Sequence, residues 1–194
     1  ISRSIYHGYL RRLNKYMVDE IDYIYHIDLE YNREKLLQEA LQLNFNAFPS
    51  LSAISKTKNI PTTSWFDKPP TWLSGFFNED KRVNFDQFPE TATLHSYIEN
   101  KIGCSTTIRV YKQQENTELP MHRDLLDTRA SINVVLSERS APITMEDIGD
   151  TYYDAALINI RLLHGVKKHP DLRVVLKFSI SDKEYQDVLE CFVR

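Results

Sequence analysis

The chain has 194 residues and a formal net charge of −3, with 42% hydrophobic and 26% charged residues. These values are typical of one globular domain with its own core, and they exclude a strong electrostatic attraction to nucleic acid or an anionic membrane. The five glycines lie far apart in the sequence. A phosphate-binding loop or a GxGxxG dinucleotide motif needs clustered glycines, so both are excluded.

Two cysteines, Cys104 and Cys191, form neither a CxxC motif nor a disulfide-rich pattern, which favours a reducing compartment. The sequence contains no apolar run long enough to span a bilayer and does not open with a secretory signal pattern. We therefore expect a single domain over 1–194, located in the cytoplasm, with neither nucleic acid nor membrane as a partner. The pattern does not indicate an oligomeric state.

The N-terminal part, 1–104, reads as helical segments and a lid. The stretch 21–29 is strand-like, whereas 33–45 carries leucines at helical spacing. The segment 48–90 holds five of the eight prolines, both tryptophans and six of the nine phenylalanines. It is too aromatic for a disordered linker, so we expect an ordered aromatic lid. A helix is predicted over 90–103, with a glycine at its end.

Alternating apolar and polar residues dominate 105–181, which predicts seven or eight short strands in an antiparallel barrel or sandwich. A C-terminal helix is expected over 182–194, with Ser181 or Asp182 as its N-cap. The fold class is mostly β with flanking helices.

The sequence MHRD carries the first candidate metal ligands. On a strand, His122 and Asp124 at i and i+2 leave the same face, so both can reach one ion. His164 follows near the end of a later apolar stretch. Two histidines and one carboxylate form the ligand set of non-haem Fe(II) sites with open positions.

Arg173 follows His164 by nine residues, across a short KKHPD turn. This spacing predicts a hairpin that places the two side chains on neighbouring antiparallel strands. A guanidinium there can bind a carboxylate through two hydrogen bonds.

Three predicted strands share one pattern: one face is apolar, and the other, the mixed face, carries both polar and apolar residues. The mixed faces indicate a polar barrel interior around a charged ligand, with the apolar faces packed under helices. The alternative is a sandwich whose mixed faces meet water. The mixed faces carry Arg109, Tyr111 and Gln113; Ser131, Asn133 and Val135; and Arg173, Val175, Lys177 and Ser179.

The order of Tyr111, the HRD motif at 122–124, His164 and Arg173 resembles the Fe(II)/2-oxoglutarate-dependent oxygenases, in particular their prolyl-hydroxylase-like branch. The resemblance covers about 106–181. It implies a double-stranded β-helix (jelly roll). The interval between Asp124 and His164 is short for the family, which implies tight turns between the strands.

The resemblance implies that His122, Asp124 and His164 hold Fe(II). It further implies that 2-oxoglutarate is a cosubstrate, consumed together with O2, and that Arg173 binds its distal carboxylate. Tyr111 is the candidate to assist in binding this cosubstrate. Asn133 is a candidate for a hydrogen bond to the cosubstrate, or else a buried structural amide. The retained carboxylate favours hydroxylation over halogenation, because the halogenating relatives lack that ligand.

The small size of the chain favours a small or amino-acid-like substrate, free or peptidyl. Arg129 and Arg161 are candidates for binding a substrate carboxylate, with surface ion pairs as the alternative role. Gly165, next to His164, is expected to relieve crowding at the metal.

Two other functions stay open at this point. A cupin-like jelly roll could bind Zn²⁺ or a metabolite without redox chemistry. Alternatively, the HxD pattern is accidental in an interaction protein, in which case His122, Asp124 and His164 would lie more than about 7 Å apart, given metal–ligand bonds of about 2 Å.

Overall fold

The computed structural model describes residues 19–43, 46–47, 72–76, 85–124 and 128–193, with the backbone alone at 46–47, 72–76 and 85. These residues form three α-helices, eleven strands and two 3₁₀ turns. The helices are α1 (Arg33–Leu41), α2 (Pro89–Ile102) and α3 (Tyr185–Val193), and the 3₁₀ turns are Glu20–Asp22 and Phe85–Gln87. The strands are β1 (Ile24–His26), β2 (Asn46–Ala47), β3 (Trp72–Phe76), β4 (Thr106–Gln113), β5 (Leu119–His122), β6 (Ala130–Val135), β7 (Ile143–Met145), β8 (Gly149–Thr151), β9 (Ala155–Ile158), β10 (His164–Val166) and β11 (Arg173–Ile180).

The strands form two antiparallel sheets. The large sheet has the order β1-β9-β6-β11-β4-β3-β2, and the small sheet has the order β5-β10-β7-β8. Eight strands, β4 to β11, lie in the region predicted to hold seven or eight. From β6 to β11 the chain passes repeatedly between the two sheets, with β6, β9 and β11 in the large sheet and β7, β8 and β10 in the small one. This is the arrangement of a jelly roll and confirms the mostly β class with flanking helices.

The outer face of the large sheet is apolar and packs under the helices. Strand residues of one parity, such as Val110, Val134 and Leu176, share a buried cluster with Ile98 of α2 and Val188 of α3. The predicted packing of the apolar faces under helices is therefore confirmed.

The side chains at the alternate positions on these strands point into the region between the two sheets. Gln113, Ser131 and Arg173 are buried there, with at most 3% of each residue exposed. The alternative in which the mixed faces meet water is thus wrong at these positions. A second apolar cluster that includes Met145 and Ile158 fills part of the same interior, so the polar groups occupy a confined space.

Most local predictions match the structure. Helices α1 and α2 lie where the leucine spacing and the 90–103 pattern predicted them, and Gly103 ends α2 with φ of +66°, a conformation that favours glycine. Strand β1 falls within the strand-like stretch. No helix in the described part of the chain is long and apolar enough to cross a membrane.

The predicted N-cap of the C-terminal helix is wrong. The helix begins at Tyr185, so neither Ser181 nor Asp182 directly precedes its first residue. Instead, the backbone N–H of Glu184 donates to the Asp187 carboxylate, 3.3 Å away.

The aromatic lid over 48–90 lies mostly outside the described residues and stays a prediction. Within it, Trp72–Phe76 forms strand β3, which pairs with β2 and β4. The N-terminal part thus extends the large sheet through β1, β2 and β3, in addition to supplying helices.

Candidate metal centre

His122 and His164 are direct partners on two antiparallel strands of the small sheet, β5 and β10. Their ring centroids lie 4.5 Å apart. Because side chains of directly opposed residues leave the same face of a sheet, this register brings together two imidazoles that are 42 residues apart in sequence.

The close approach of these two strands depends on Gly165. A Cβ at this position would lie 2.7 Å from the Leu119 carbonyl oxygen and 3.1 Å from the Met121 nitrogen. The glycine therefore relieves crowding against the neighbouring strand's backbone; the expected crowding at the metal is not what the structure shows.

Both histidines have the same backbone partner geometry. His122 Nδ1 lies 2.8 Å from the Pro120 carbonyl oxygen, and His164 Nδ1 lies 2.9 Å from the Leu162 carbonyl oxygen. A carbonyl only accepts hydrogen bonds, so each Nδ1 must carry a hydrogen. In a neutral ring this leaves a lone pair on Nε2, the nitrogen available to a metal.

Asp124 completes the group from just beyond the end of β5, rather than from within a strand as the HxD spacing suggested. Its backbone N–H donates to the Ile160 carbonyl oxygen at 3.0 Å. The carboxylate Oδ1 lies 3.3 Å from His122 Nε2 and 3.8 Å from His164 Nε2. The three ligand atoms all lie within 4.8 Å of one another, so the alternative of an accidental motif fails its distance criterion.

The electrostatics suit a cation. Burial lowers the pKa of His164 to about 4, with His122 adding to the effect, so the His164 ring is neutral at pH 7. The two Nε2 atoms and the Asp124 carboxylate oxygen converge on one point. Such a set needs a proton or a metal ion between its members, and two histidines with one carboxylate suit Fe(II).

Lys177 of β11 was present in the predicted mixed face but was not singled out as a site residue. Its Nζ donates to Asp124 Oδ2 at 2.5 Å and lies 5.8 Å from the Tyr111 ring centroid. Burial raises the pKa of Asp124, but Lys177 and then the two histidines outweigh it, so this pKa lies well below its usual range. Burial lowers the pKa of Lys177, but Asp124 and Tyr111 raise it by more, so this pKa lies above its usual value and the ammonium stays charged.

The predicted hairpin between His164 and Arg173 is wrong. His164 lies in β10 of the small sheet, which pairs with β5 and β7, whereas Arg173 opens β11 of the large sheet, which pairs with β4 and β6. The segment between these strands, which contains Pro170, connects one sheet to the other. The two residues therefore lie on opposite layers of the molecule.

Arg173 is 3% exposed and is held by hydroxyl groups. Its Nε donates to Ser140 Oγ at 3.0 Å, and its Nη2 donates to Tyr153 Oη at 2.8 Å. Asn133 Nδ2 lies 3.4 Å from the same phenol oxygen, and Asn133 Oδ1 is buried without a hydrogen-bond partner among the described residues. A cleft of about 310 Å³, lined in part by Ser140, Tyr153 and Val135, opens beside this network.

Sequence reasoning missed Ser140 and Tyr153, which lie on connections between strands, where no periodicity marks a residue as facing inward. Tyr111, the tyrosine singled out from the sequence, instead contacts Lys177 near the triad. The tyrosine whose hydroxyl accepts a hydrogen bond from Arg173 is Tyr153.

The two candidate substrate arginines lie elsewhere. Arg129 forms an exposed ion pair with Glu184, which matches the alternative role. Arg161 is exposed in a turn and directly follows Ile160 in the sequence. The Ile160 carbonyl accepts the hydrogen bond from the Asp124 backbone N–H.

No family profile matches this sequence, and no curated protein is significantly similar to it. Solved structures are similar. A prolyl hydroxylase from Trichoplax adhaerens, in complex with a hypoxia inducible factor oxygen degradation domain peptide fragment, is 15% identical with a TM-score of 0.56, over 95% of this chain and 96% of that chain.

The chain has the fold of this prolyl hydroxylase. A viral collagen prolyl hydroxylase from Paramecium Bursaria Chlorella virus-1, in a 2OG complex, is 10% identical with a TM-score of 0.48, over 81% of this chain and 94% of that chain. The resemblance to the prolyl-hydroxylase-like oxygenases is thus confirmed at the level of the fold, for which the Trichoplax structure is the basis.

Proposed function

We propose that this protein is an Fe(II)- and 2-oxoglutarate-dependent dioxygenase that hydroxylates an unactivated C–H bond of a small or amino-acid-like substrate. The observation that carries the proposal is the convergence of His122 Nε2, Asp124 Oδ1 and His164 Nε2, all within 4.8 Å of one another, inside the fold of a prolyl hydroxylase. When bound there, Fe(II) would supply O2 activation coupled to decarboxylation of the cosubstrate.

The chain's own residues orient this site. The carbonyls of Pro120 and Leu162 fix the tautomer of His122 and His164, so that both Nε2 atoms face the same point without rotation of either ring. The backbone bond from Asp124 to Ile160 holds the third ligand in place. This arrangement is preorganised, which lowers the cost of binding a metal.

Arg173 is the proposed anchor for the distal carboxylate of 2-oxoglutarate. It lies four residues from Lys177 on the same face of β11, a separation of about 13 Å along the strand. Lys177 marks the position of the triad through Asp124. Arg173 and the triad thus lie toward two ends of one interior face, and we propose that a dicarboxylate binds one end to each.

Tyr153 accepts a hydrogen bond from Arg173, and Asn133 lies against the same phenol oxygen. We assign both residues a supporting role in binding the same carboxylate. Tyr111, beside Lys177, is proposed to line the metal end of the cosubstrate pocket. Arg161 is proposed to bind a substrate carboxylate. Arg129 pairs with Glu184.

The test is an anaerobic titration of the protein with Fe(II) and 2-oxoglutarate, followed by the weak visible metal-to-ligand charge-transfer band. Wild type should develop the band and His122→Ala should not. No band in wild type, or the same band in the variant, would refute the proposal.

A second measurement separates the cupin-like alternative, in which the triad holds Zn²⁺ or a metabolite without redox chemistry. Metal analysis is combined with a succinate assay in which a library of amino acids and metabolites is added. Bound zinc with no succinate under any condition supports the alternative. Succinate formation that is stimulated by one compound class supports the oxygenase and identifies its substrate class.

A further inference from the structure

Lys177 lies across the interior from the candidate metal ligands, on the large sheet. Its partners in register are Arg109 on β4 and Asn133 on β6, so it extends from the centre of the sheet. Only 13% of its side chain is exposed, and the Nζ bond to Asp124 Oδ2 is 2.5 Å long. A buried ammonium is costly without such a partner.

This ion pair already neutralises the carboxylate when no metal is present. The one carboxylate in the triad belongs to Asp124. The negative charge that would attract a divalent cation is therefore offset by a cation of the protein itself. Two charges this close interact strongly in an interior with a low effective dielectric.

We propose that Lys177 is a resident counter-cation of Asp124, which neutralises this carboxylate in the metal-free protein and weakens the affinity of the triad for divalent metal. The inference rests on the metal-binding part of the proposed function. It adds a positioning residue on the large sheet to a metal site whose three ligands come from the small sheet and the segment that follows β5.

The geometry allows the ammonium and a metal ion to be present together. Oδ1 of Asp124 faces the two Nε2 atoms, whereas Oδ2 faces Lys177. A metal bound to Oδ1 would occupy a different carboxylate oxygen from the one that Lys177 holds. The ammonium is therefore not displaced by steric overlap, and it repels the metal for as long as both are bound.

Loss of Lys177 has two opposing effects on metal binding. It removes the repulsion, which tightens binding, and it removes a hydrogen bond that orients the ligand, which in other metal sites costs 10–100-fold in affinity. Here Asp124 keeps its backbone bond to Ile160 and its contact with His122, so its orientation has other supports. We therefore expect the charge effect to prevail.

The experiment measures Mn²⁺ affinity from the EPR signal of free Mn²⁺ at pH 7.5, without 2-oxoglutarate, for wild type, Lys177→Met, Lys177→Gln and Lys177→Arg. Both neutral variants should bind Mn²⁺ at least about tenfold more tightly, and the arginine variant should stay within about threefold of wild type. The matched control is Lys167→Met, which removes an exposed lysine paired with Asp150 and should leave the affinity unchanged.

Thermal unfolding of the same variants gives a second readout that does not need activity. Metal-free Lys177→Met should melt below wild type, because Asp124 loses its partner, and saturating Mn²⁺ should raise its Tm by more than it raises that of wild type. Equal or weaker Mn²⁺ binding in both neutral variants overturns this inference while the metal site stands. No Mn²⁺ binding in wild type or in any variant overturns the metal site as well.

Discussion

His122 and His164 face each other across one antiparallel strand pair, and each ring donates a hydrogen bond from Nδ1 to the carbonyl two residues earlier in its own chain segment. The repeated geometry gives both rings the same tautomer. A strand-to-strand register therefore sets the separation of the two Nε2 atoms, and backbone carbonyls set their direction.

Asp124→Ala should destabilise the metal-free protein. The change leaves Lys177 buried without its carboxylate, and breaking a buried pair from one side costs about 3–5 kcal/mol of unfolding free energy. The measurement is urea unfolding followed by circular dichroism. The double variant Asp124→Ala with Lys177→Met should recover most of the loss; a double variant that loses the sum of both single costs would contradict the coupling.

Gly165→Ala should lower stability by about 1–3 kcal/mol, because the new methyl group meets the Leu119 carbonyl and must push β5 and β10 apart. It should also weaken Mn²⁺ binding, since β5 carries His122. Gly149→Ala is the control: Gly149 has φ of +80° with open space around it, so alanine costs backbone strain without moving a ligand. The prediction fails if both variants bind Mn²⁺ as tightly as wild type.

Arg173→Met should weaken the binding of 2-oxoglutarate to the Mn²⁺-loaded protein by at least about 30-fold, because a buried cation would no longer meet the distal carboxylate. Mn²⁺ affinity itself should stay close to that of wild type. Tyr153→Phe should give a smaller loss in the same isothermal titration, since it removes one hydroxyl that positions the guanidinium.

The matched control for this series is Arg129→Met, which removes an exposed arginine paired with Glu184 and should leave the affinity for 2-oxoglutarate within about twofold. Equal affinities in wild type and Arg173→Met would remove Arg173 from the proposed cosubstrate site.

Tyr185 should contribute to alkaline unfolding. Burial, and then Asp22, raises the pKa of its phenol above the usual value, and its Oη donates to the Ile21 carbonyl oxygen at 2.6 Å. The folded state thus prefers the neutral phenol, so its contribution is complete below about pH 10 and is lost as the pH rises further.

Urea unfolding from pH 8 to pH 11 checks this dependence. Tyr185→Phe should be less stable than wild type at pH 8, because it lacks the hydrogen bond, and its stability should fall less steeply above about pH 10. Parallel pH curves for the two proteins would show that the phenol of Tyr185 does not titrate differently on folding.

The alternation of side chains could be predicted from the sequence because it is local. Within a strand such as β11, parity alone places Val174 and Leu176 on one face and Arg173 and Lys177 on the other. The helix that ends at Gly103 was equally accessible, since its stop signal is a glycine at the position where the chain enters the left-handed region.

The pairing of strands could not be predicted in the same way. The segment between His164 and Arg173 has the sequence of a hairpin turn, but it connects strands of two different sheets. No local feature of this sequence distinguishes a hairpin from a connection between sheets. Lys177 and Asp124 are 53 residues apart, so their ion pair follows only once both sheets are in place. Tyr153 has no periodic neighbours that would indicate its direction.

The bond between Lys177 and Asp124 has a mechanical consequence. One partner belongs to the large sheet and the other to the segment that follows β5 of the small sheet, so the two layers cannot swing apart without breaking it. Any opening of the interior that admits a ligand from between the layers must therefore first separate two opposite charges. We expect this opening to be slow and to become faster when either charge is removed. The Lys177–Asp124 pair would then control the rate at which a ligand enters as well as the affinity with which it binds.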